Sequence, residues 1–476
     1  MNRSLATAGL ILLVATTAFS QGVGPTRLRA GAQKVDFTPK DSDLRVPTDS
    51  IRDRLFARAI VVDDGRTCAV LVGIDLGAAG NQIVDDAVPR AAKATGCPAQ
   101  NVIISATHTH SSNTQGLGQG PPTAKTVADA IVEAATVAKS KLAPARVGYG
   151  KTMVDLNVNR DLFNRNLEWR QEPNPDGPSD KTLAVVEFLG EDNVPIGVYL
   201  NYAMHPINFY LSGVISADFP GEASRYIEEL FGDRTVAVFS QGASGDQNPR
   251  DFRSPTLIMS QRTALTNGRG PFIQRIGAAP APEGASPQGF NPQRATSERT
   301  AIPEANLDAY KKVLARTGDY VRMLGSMLGS SAVRVMRESM EPGATARIWA
   351  GQETFACPGR VRLDADNPAR ENVFPGYKDG PDVNLKVGFL RLGDINFVTV
   401  NGEVYSQIAM RLKAEAPANK TMMVTLANGS ANAGYIYADN AYSHLTFQVI
   451  GSRLKPGCAE GKIVAAAIKL MRMAGQ

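Results

Sequence analysis

Four histidines occur in the chain, His108, His110, His205 and His444, and three of them follow short apolar runs that read as strands. Open α/β sheets bind ligands at the carboxyl ends of their strands. Imidazoles placed there converge on a metal even when far apart in sequence. His108 and His110 lie in Ala106-Thr107-His108-Thr109-His110-Ser111. Residues i and i+2 of an extended segment point the same way. The two rings then bind one metal together, or one ligates while the other handles protons; a polar loop with incidental histidines is the alternative. His205 closes Asn201-Tyr202-Ala203-Met204-His205, where a histidine is equally readable as a satisfied structural residue.

Three further segments carry groups of the right kind. Glu403, in Val400-Asn401-Gly402-Glu403, follows a strand and opens a helix. It reads as a carboxylate ligand or as a first-turn acid favoured by the helix dipole. Tyr435, before Ile436, reads as a packing residue, a hydrogen-bond donor or, more rarely, a metal ligand. Gln241-Gly242-Ala243-Ser244-Gly245-Asp246-Gln247-Asn248-Pro249 follows a strand ending at Ser240. Its glycines let backbone N–H groups approach an oxyanion, or simply make a tight turn. It lacks the Lys-Ser/Thr of a phosphate loop and misses Gly-x-Ser-x-Gly by one position.

The elements that must hold these groups alternate in type. Residues 55–62 and 67–75 read as strands joined by Asp63-Asp64-Gly65, a hairpin signal. A helix over about 80–94 stops at Gly96, and 101–106 is a buried strand. Strands at 196–203, 235–240, 396–400 and 422–426 alternate with helices at about 221–231 and 404–415. This predicts an α/β fold with a mixed, largely parallel sheet flanked by helices and a metal site at the strands' carboxyl ends. Residues 165–180 read as a loop, and 304–328 as a helix. The Gly/Pro-rich stretch 251–302 reads as a surface insertion or lid within one domain spanning 21–476.

With 476 residues, 43% hydrophobic and 20% charged, a large core is affordable. The net charge of +5 is scattered, with no run of five or six like charges, which leaves no nucleic-acid footprint. Residues 1–20 have the layout of a secretory signal: Arg3, an apolar stretch from Leu5 to Ala15, and Ala18-Phe19-Ser20 as cleavage site. A membrane anchor is the alternative, for which the stretch is short. The expected localisation is exported, periplasmic or secreted. Export permits disulfides. Cys68 opens one predicted strand and Cys97 precedes the next, so parallel neighbours would favour Cys68–Cys97. Cys357 and Cys458 then pair or stay free.

In order and context these segments resemble the neutral/alkaline ceramidase family. That family has Thr-His-Thr-His-Ser, Asn-Arg, a histidine after a strand, a Gly-Asp-Val-Ser-Pro loop, Gly-Glu opening a helix, and a late tyrosine before Ile. Here they stand as Thr107 to Ser111, Asn159-Arg160, His205, Gly245 to Pro249, Gly402-Glu403 and Tyr435-Ile436. The resemblance implies one Zn2+ per chain, held by His108, His205, Glu403 and Tyr435. His110 and Arg160 would act beside it on protons and on the polarised carbonyl, with Asp246 and Asn248 completing the catalytic set. It implies attack of a zinc-bound water on the substrate carbonyl. Asn248 stands where the family has serine, and Phe447-Gln448 where it has Tyr-Glu. The family's following β-sandwich domain is not expected in this chain.

The sequence thus predicts an exported zinc-dependent hydrolase of an amide (ceramide-like N-acyl) or ester, tied to sphingolipid metabolism. Its partner would be a small-molecule or lipid substrate, with peripheral membrane contact left open. The rival is a non-catalytic zinc-containing relative that binds lipid or carbohydrate.

Overall fold

The computed structural model describes residues 27–115, 119–210, 212–250, 300–364 and 371–475. The proposed signal at 1–20, and the insertion up to residue 299, lie outside the described residues.

Local turn chemistry forms where the sequence carries it. The strands Phe56–Asp63 and Cys68–Ile74 pair antiparallel. In their turn the Asp63 carboxylate accepts from the Gly65 amide at 2.8 Å, and Asp64 accepts from Arg66 and Thr67 at 2.9 and 2.8 Å. The helix Asn81–Thr95 ends on Gly96, whose φ of 70° lets its N–H return to the Ala92 carbonyl. The next strand, Val102–Ala106, lies parallel to Cys68–Ile74. Cys68 and Cys97 therefore meet at one sheet edge and form a disulfide. Cys357 and Cys458 form the second, joining a long strand to the start of the helix Ala459–Ala474.

Eight strands make the main sheet, in the order Val236–Gln241, Pro195–Tyr202, Thr182–Gly190, Ala143–Met153, Arg29–Asp36, Phe56–Asp63, Cys68–Ile74, Val102–Ala106. The class is mixed α/β, as expected, but the parallel share is smaller than the alternation suggests. Within this sheet only the two outermost pairs are parallel. The five pairs between them are antiparallel, two of them, Phe56–Asp63 with Cys68–Ile74 and Thr182–Gly190 with Pro195–Tyr202, through four-residue connections that allow no other pairing. A second sheet runs Ile348–Arg362, Tyr377–Leu392, Ile395–Val400, Thr421–Val424, with its last pair parallel.

One face of the main sheet, with Ala57, Val70 and Ile104, packs on Ala87 of the first helix and Ile131 of Ala124–Ser140. The other face, with Ile60, Leu71 and Ile103, packs on Val238 and on Phe397 of the second sheet. Here Gly73 is required: a Cβ would stand 2.8 Å from the Phe239 carbonyl oxygen. The helices Asp218–Leu230 and Leu307–Glu338 cover a further flank with Phe219, Ile227, Leu324 and Leu328. The second of these runs ten residues past its expected end. Residues 165–180 are not all loop: Trp169–Asn174 is a strand beside Asn157–Phe163. It sits at the edge of a three-stranded sheet, where Pro173 is tolerated.

Residues 425–428 knit four strand ends together. Thr425 donates its amide to Gln241 at 2.9 Å, Ala427 to Val400 at 3.2 Å and Asn428 to Ile104 at 2.9 Å, while Gly242 donates to Tyr202 at 2.9 Å. The carboxyl ends of strands from both sheets are thereby gathered at one place.

Glu187 is a buried exception in this apolar sheet. Burial pushes its carboxyl up to about 7, against a partial offset from Arg146. The native state therefore holds a proton that the unfolded chain releases near its ordinary value, so stability falls as pH rises from about 4.5 to about 7. Glu187→Gln is expected to remove that dependence. Denaturant titrations should find the variant more stable than wild type by about 1–2 kcal/mol at pH 8, after discounting for partial solvent access, and similar to it at pH 4.

Candidate functional site

His108 and His110 follow the strand Val102–Ala106, and His205 follows Pro195–Tyr202. The two-residue spacing works here through a kink, not through strand alternation. His108 adopts φ 72°, the left-handed region that non-glycine residues seldom occupy. Its Nε2 lies 3.1 Å from Nε2 of His205 and 3.3 Å from Nε2 of His110. Glu403 Oε2 stands 3.4 and 3.5 Å from the Nε2 atoms of His108 and His205. It is buried and has no hydrogen-bond partner.

The remaining ring nitrogens set the tautomers. His108 Nδ1 is 2.6 Å from the Gly77 carbonyl oxygen. His205 Nδ1 is 2.7 Å from the Ser244 carbonyl and 3.1 Å from that of Gln247. Carbonyls only accept, so both Nδ1 atoms carry a proton, and the Nε2 atom of each ring is the one that faces inward. Burial and the Arg160 charge push His205 down to about 3. Burial, followed by its two imidazole neighbours, pushes His110 well below its ordinary value. Burial opposes ionisation of Glu403, but His108 and His205 outweigh it and hold the carboxyl well below the usual range. His110 and His205, held below their ordinary range beside an ionised Glu403, are in the state a divalent metal requires. His108, His110 and His205 offer nitrogens within 4.8 Å of one another; with the unpartnered Glu403 oxygen they fit a metal ion.

Tyr435 arrives from another direction. Its short strand, Tyr435–Ile436, pairs parallel with Glu403–Val404, placing Tyr435 opposite Glu403. Burial and the Glu403 charge raise its phenol, with Arg160 opposing, so the hydroxyl is protonated between the two. The four residues expected as ligands are thus brought to one place.

Arg160 is buried on the strand Asn157–Phe163. Its guanidinium donates to the Gly245 carbonyl at 2.6 and 3.1 Å and to Asn248 Oδ1 at 3.2 Å. The rings of Tyr435 and Phe447 lie 5.5 and 5.4 Å from its Cζ. The Asn248 amide nitrogen is buried and has no partner. Asp246 is clamped instead: it accepts from Ser406 N at 2.7 Å, Ser406 Oγ at 3.0 Å and Asn159 Nδ2 at 3.0 Å. Burial pushes its carboxyl up to about 6. Its backbone carbonyl takes the Arg160 amide at 2.9 Å, so it aligns Arg160. The loop is not an open nest of amides. Gly245 donates to Val404 and Gln247 to Ser244, each at 2.8 Å. Gly245 is glycine because a Cβ would come 3.0 Å from the Val404 carbonyl.

Two parts of the site escaped sequence reasoning. The carbonyls that orient the imidazoles belong to Gly77, Ser244 and Gln247, and no side chain announces them. His444 pairs with Asp161 at 3.1 Å on the same strand as Arg160; the scarcity of histidine was the signal that could have drawn attention to it.

Residues 42–260 match the family model of neutral/alkaline non-lysosomal ceramidase, N-terminal. Neutral ceramidase of Pseudomonas aeruginosa is 29% identical over 278 residues, covering 52% of this chain. The match takes in 41% of that relative's length. The crystal structure of neutral ceramidase from Pseudomonas aeruginosa superposes with a TM-score of 0.66 at 17% identity, over 94% of this chain and 75% of the other. A ceramidase complexed with C2 superposes with a TM-score of 0.65 at 17% identity, over 94% and 76%. At that identity the superpositions establish a shared fold. Sequence over residues 42–260 is thus similar to the neutral/alkaline non-lysosomal ceramidases, and nearly the whole chain shares the neutral ceramidase fold.

Proposed function

We propose that the chain is a zinc-dependent hydrolase, exported after signal cleavage near Ser20, that cleaves a ceramide-like N-acyl amide or an ester. The observation that carries this reading is the convergence of three Nε2 atoms, two of them 3.4 and 3.5 Å from a buried carboxylate oxygen. His108, His205, Glu403 and Tyr435 would hold the ion, with His110 against it. Zinc suits a nitrogen-and-oxygen donor set, and bound there it supplies a Lewis acid and an acidified water.

The chain's own residues do the rest. Arg160 and the unpaired Asn248 amide present donors to a carbonyl oxygen as charge develops on it. Asn248 offers no hydroxyl, so water is the nucleophile. His110, neutral at rest, is placed to accept a proton. The two disulfides accord with an oxidising compartment. A small-molecule or lipid substrate follows from the family relationship.

Elemental analysis, with hydrolysis assayed on a panel of N-acyl amides and esters, tests the reading. About one zinc per chain with turnover is expected. Asn248→Ala should then lower kcat by about 10²-fold with zinc retained, because one oxyanion donor is lost. Zinc without turnover on any substrate would make the chain a lipid- or carbohydrate-binding relative. A metal-free wild type would sink the proposal.

A further inference from the structure

Five large apolar side chains that the core leaves outside lie on two neighbouring turns. Phe163 ends the strand that carries Arg160, and Leu167 sits in the turn after it. That turn is closed by the Asn164 amide on the Glu168 carbonyl at 2.8 Å and the Leu167 amide on the Asn164 carbonyl at 3.0 Å. Leu363, Val373 and Phe374 stand between the two strands of the hairpin Ile348–Arg362 and Tyr377–Leu392. Leu167 is 75% exposed, Phe374 64% and Leu363 61%, while Phe163 and Val373 are half-exposed. Single exposed apolar residues are ordinary, but a group of this size in one place marks a contact surface.

The two turns are held side by side. The Trp169 amide donates to Asn372 Oδ1 at 3.2 Å, and the Phe163 and Trp169 rings are 5.3 Å apart. Val373 and Phe374 follow Asn372 directly, and the Phe374 ring lies 5.5 Å from that of Tyr377. The Leu363 amide donates to the Gly376 carbonyl at 3.1 Å. The Asn372 amide reaches the Leu445 carbonyl at 2.7 Å, two residues before Phe447, whose ring lies 5.4 Å from Arg160 Cζ. The exposed apolar group is therefore built on segments that also deliver Arg160 and Phe447 to the site.

Charge on the two turns is one-sided. Glu168 is paired with Arg170 at 2.7 Å and Asp364 with Arg362 at 2.6 Å, and Glu371 lies 4.0 Å from Arg170. Arg165 and Lys378 are exposed and have no ion pair among the described residues. The acids are answered within the protein, and these two cations are not. Exposed aromatic and aliphatic side chains beside uncompensated cations match the anionic surface of a lipid layer. Such a surface takes in protruding side chains without the matching shape that a protein partner has to supply.

We infer that the turn at 163–167 and its neighbour with Leu363, Val373 and Phe374 dock this protein on an anionic lipid surface. The apolar side chains enter the interface, and Arg165 and Lys378 meet the head groups. The inference rests on the lipid-hydrolase reading, since a ceramide-like substrate resides in such a layer, but its test needs no turnover.

Co-sedimentation with vesicles makes that test, using phosphatidylcholine alone and phosphatidylcholine mixed with phosphatidylglycerol. Wild type should bind the mixed vesicles more tightly than the neutral ones, and added salt should weaken that binding. Leu167→Ser combined with Phe374→Ser should weaken binding to both kinds by about 10-fold or more. Arg165→Gln combined with Lys378→Gln should weaken binding to the mixed vesicles alone, by roughly 10-fold or more. Zinc content and turnover of soluble short-chain substrates should match wild type in both variants. Wild type that ignores vesicles, or either variant binding as wild type does, would overturn the inference while leaving the hydrolase reading intact. A dimeric wild type that becomes monomeric in Leu167→Ser with Phe374→Ser, and binds no vesicle, would assign the turns to a second copy of the chain and overturn it likewise. Vesicle binding with the expected losses, but no hydrolysis of any substrate, would uphold the docking surface and defeat the hydrolase reading.

Discussion

Glu403→Ala should strip metal from the chain and lower kcat/KM by roughly 10³-fold or more. The two effects share one cause. Oε2 of Glu403 is buried 3.4 and 3.5 Å from two imidazole nitrogens and has no hydrogen-bond donor. In the metal-free chain His108 and His205 outweigh burial and hold that carboxylate ionised. With a divalent ion it is the anionic ligand, and folding gains the binding free energy. Wild type should therefore show a clear rise in Tm on adding zinc and a fall on chelation, while Glu403→Ala should show neither. Elemental analysis, turnover and thermal melts with and without chelator make the comparison. A variant that keeps its metal would remove Glu403 from the ligand set.

Arg58→Ala is expected to be the most destabilising single change, by about 3–5 kcal/mol. Arg58 is buried between two elements far apart in sequence. It donates to Asp75 at 2.7 Å and to Glu228 at 3.0 Å. Glu228, from the helix Asp218–Leu230, also accepts from Lys34 at 2.7 Å and from the Ala237 amide at 3.1 Å. Burial works against charge on Arg58, but Glu228 and Asp75 outweigh it and raise its affinity for the proton. Asp75 is pushed up by burial and drawn down by Arg58, with burial prevailing. Removing the guanidinium leaves two carboxylates buried in one place with one lysine. They must take up a proton or separate, so the deficit should be smaller in acid than at pH 8. Urea titrations at both pH values measure it.

What was legible in the sequence was local. Asp63-Asp64-Gly65 makes its turn with its own carboxylates, and Gly96 stops its helix by its own backbone freedom. The site was legible as residue types after strands, because strand ends are where this class of sheet gathers its ligands. What failed was non-local. The convergence of His108 with His110 depends on a φ of 72°, held from outside by the Leu76 carbonyl and the Gly77 oxygen. The loop amides were expected to face an oxyanion, but Val404 takes that of Gly245. The long hairpin of Ile348–Arg362 and Tyr377–Leu392 carries Pro358, Gly359, Gly380 and Pro381, residues that interrupt a strand pattern. A register shift between Cys357 and Gly359 absorbs the irregularity.

The segment that ties the strand ends has an effect beyond the site. Val102–Ala106 is one of the two outermost strands of the eight, and an outermost strand offers its free amides and carbonyls to any other chain. Asn428 occupies that row: its side chain accepts from Ile104 at 2.7 Å and donates to Val102 at 2.9 Å, while its backbone returns to Ile104. One asparagine with φ 52° thus does the work of a ninth strand too short to recruit a tenth. The same few residues that assemble the site also guard this border of the sheet against aggregation.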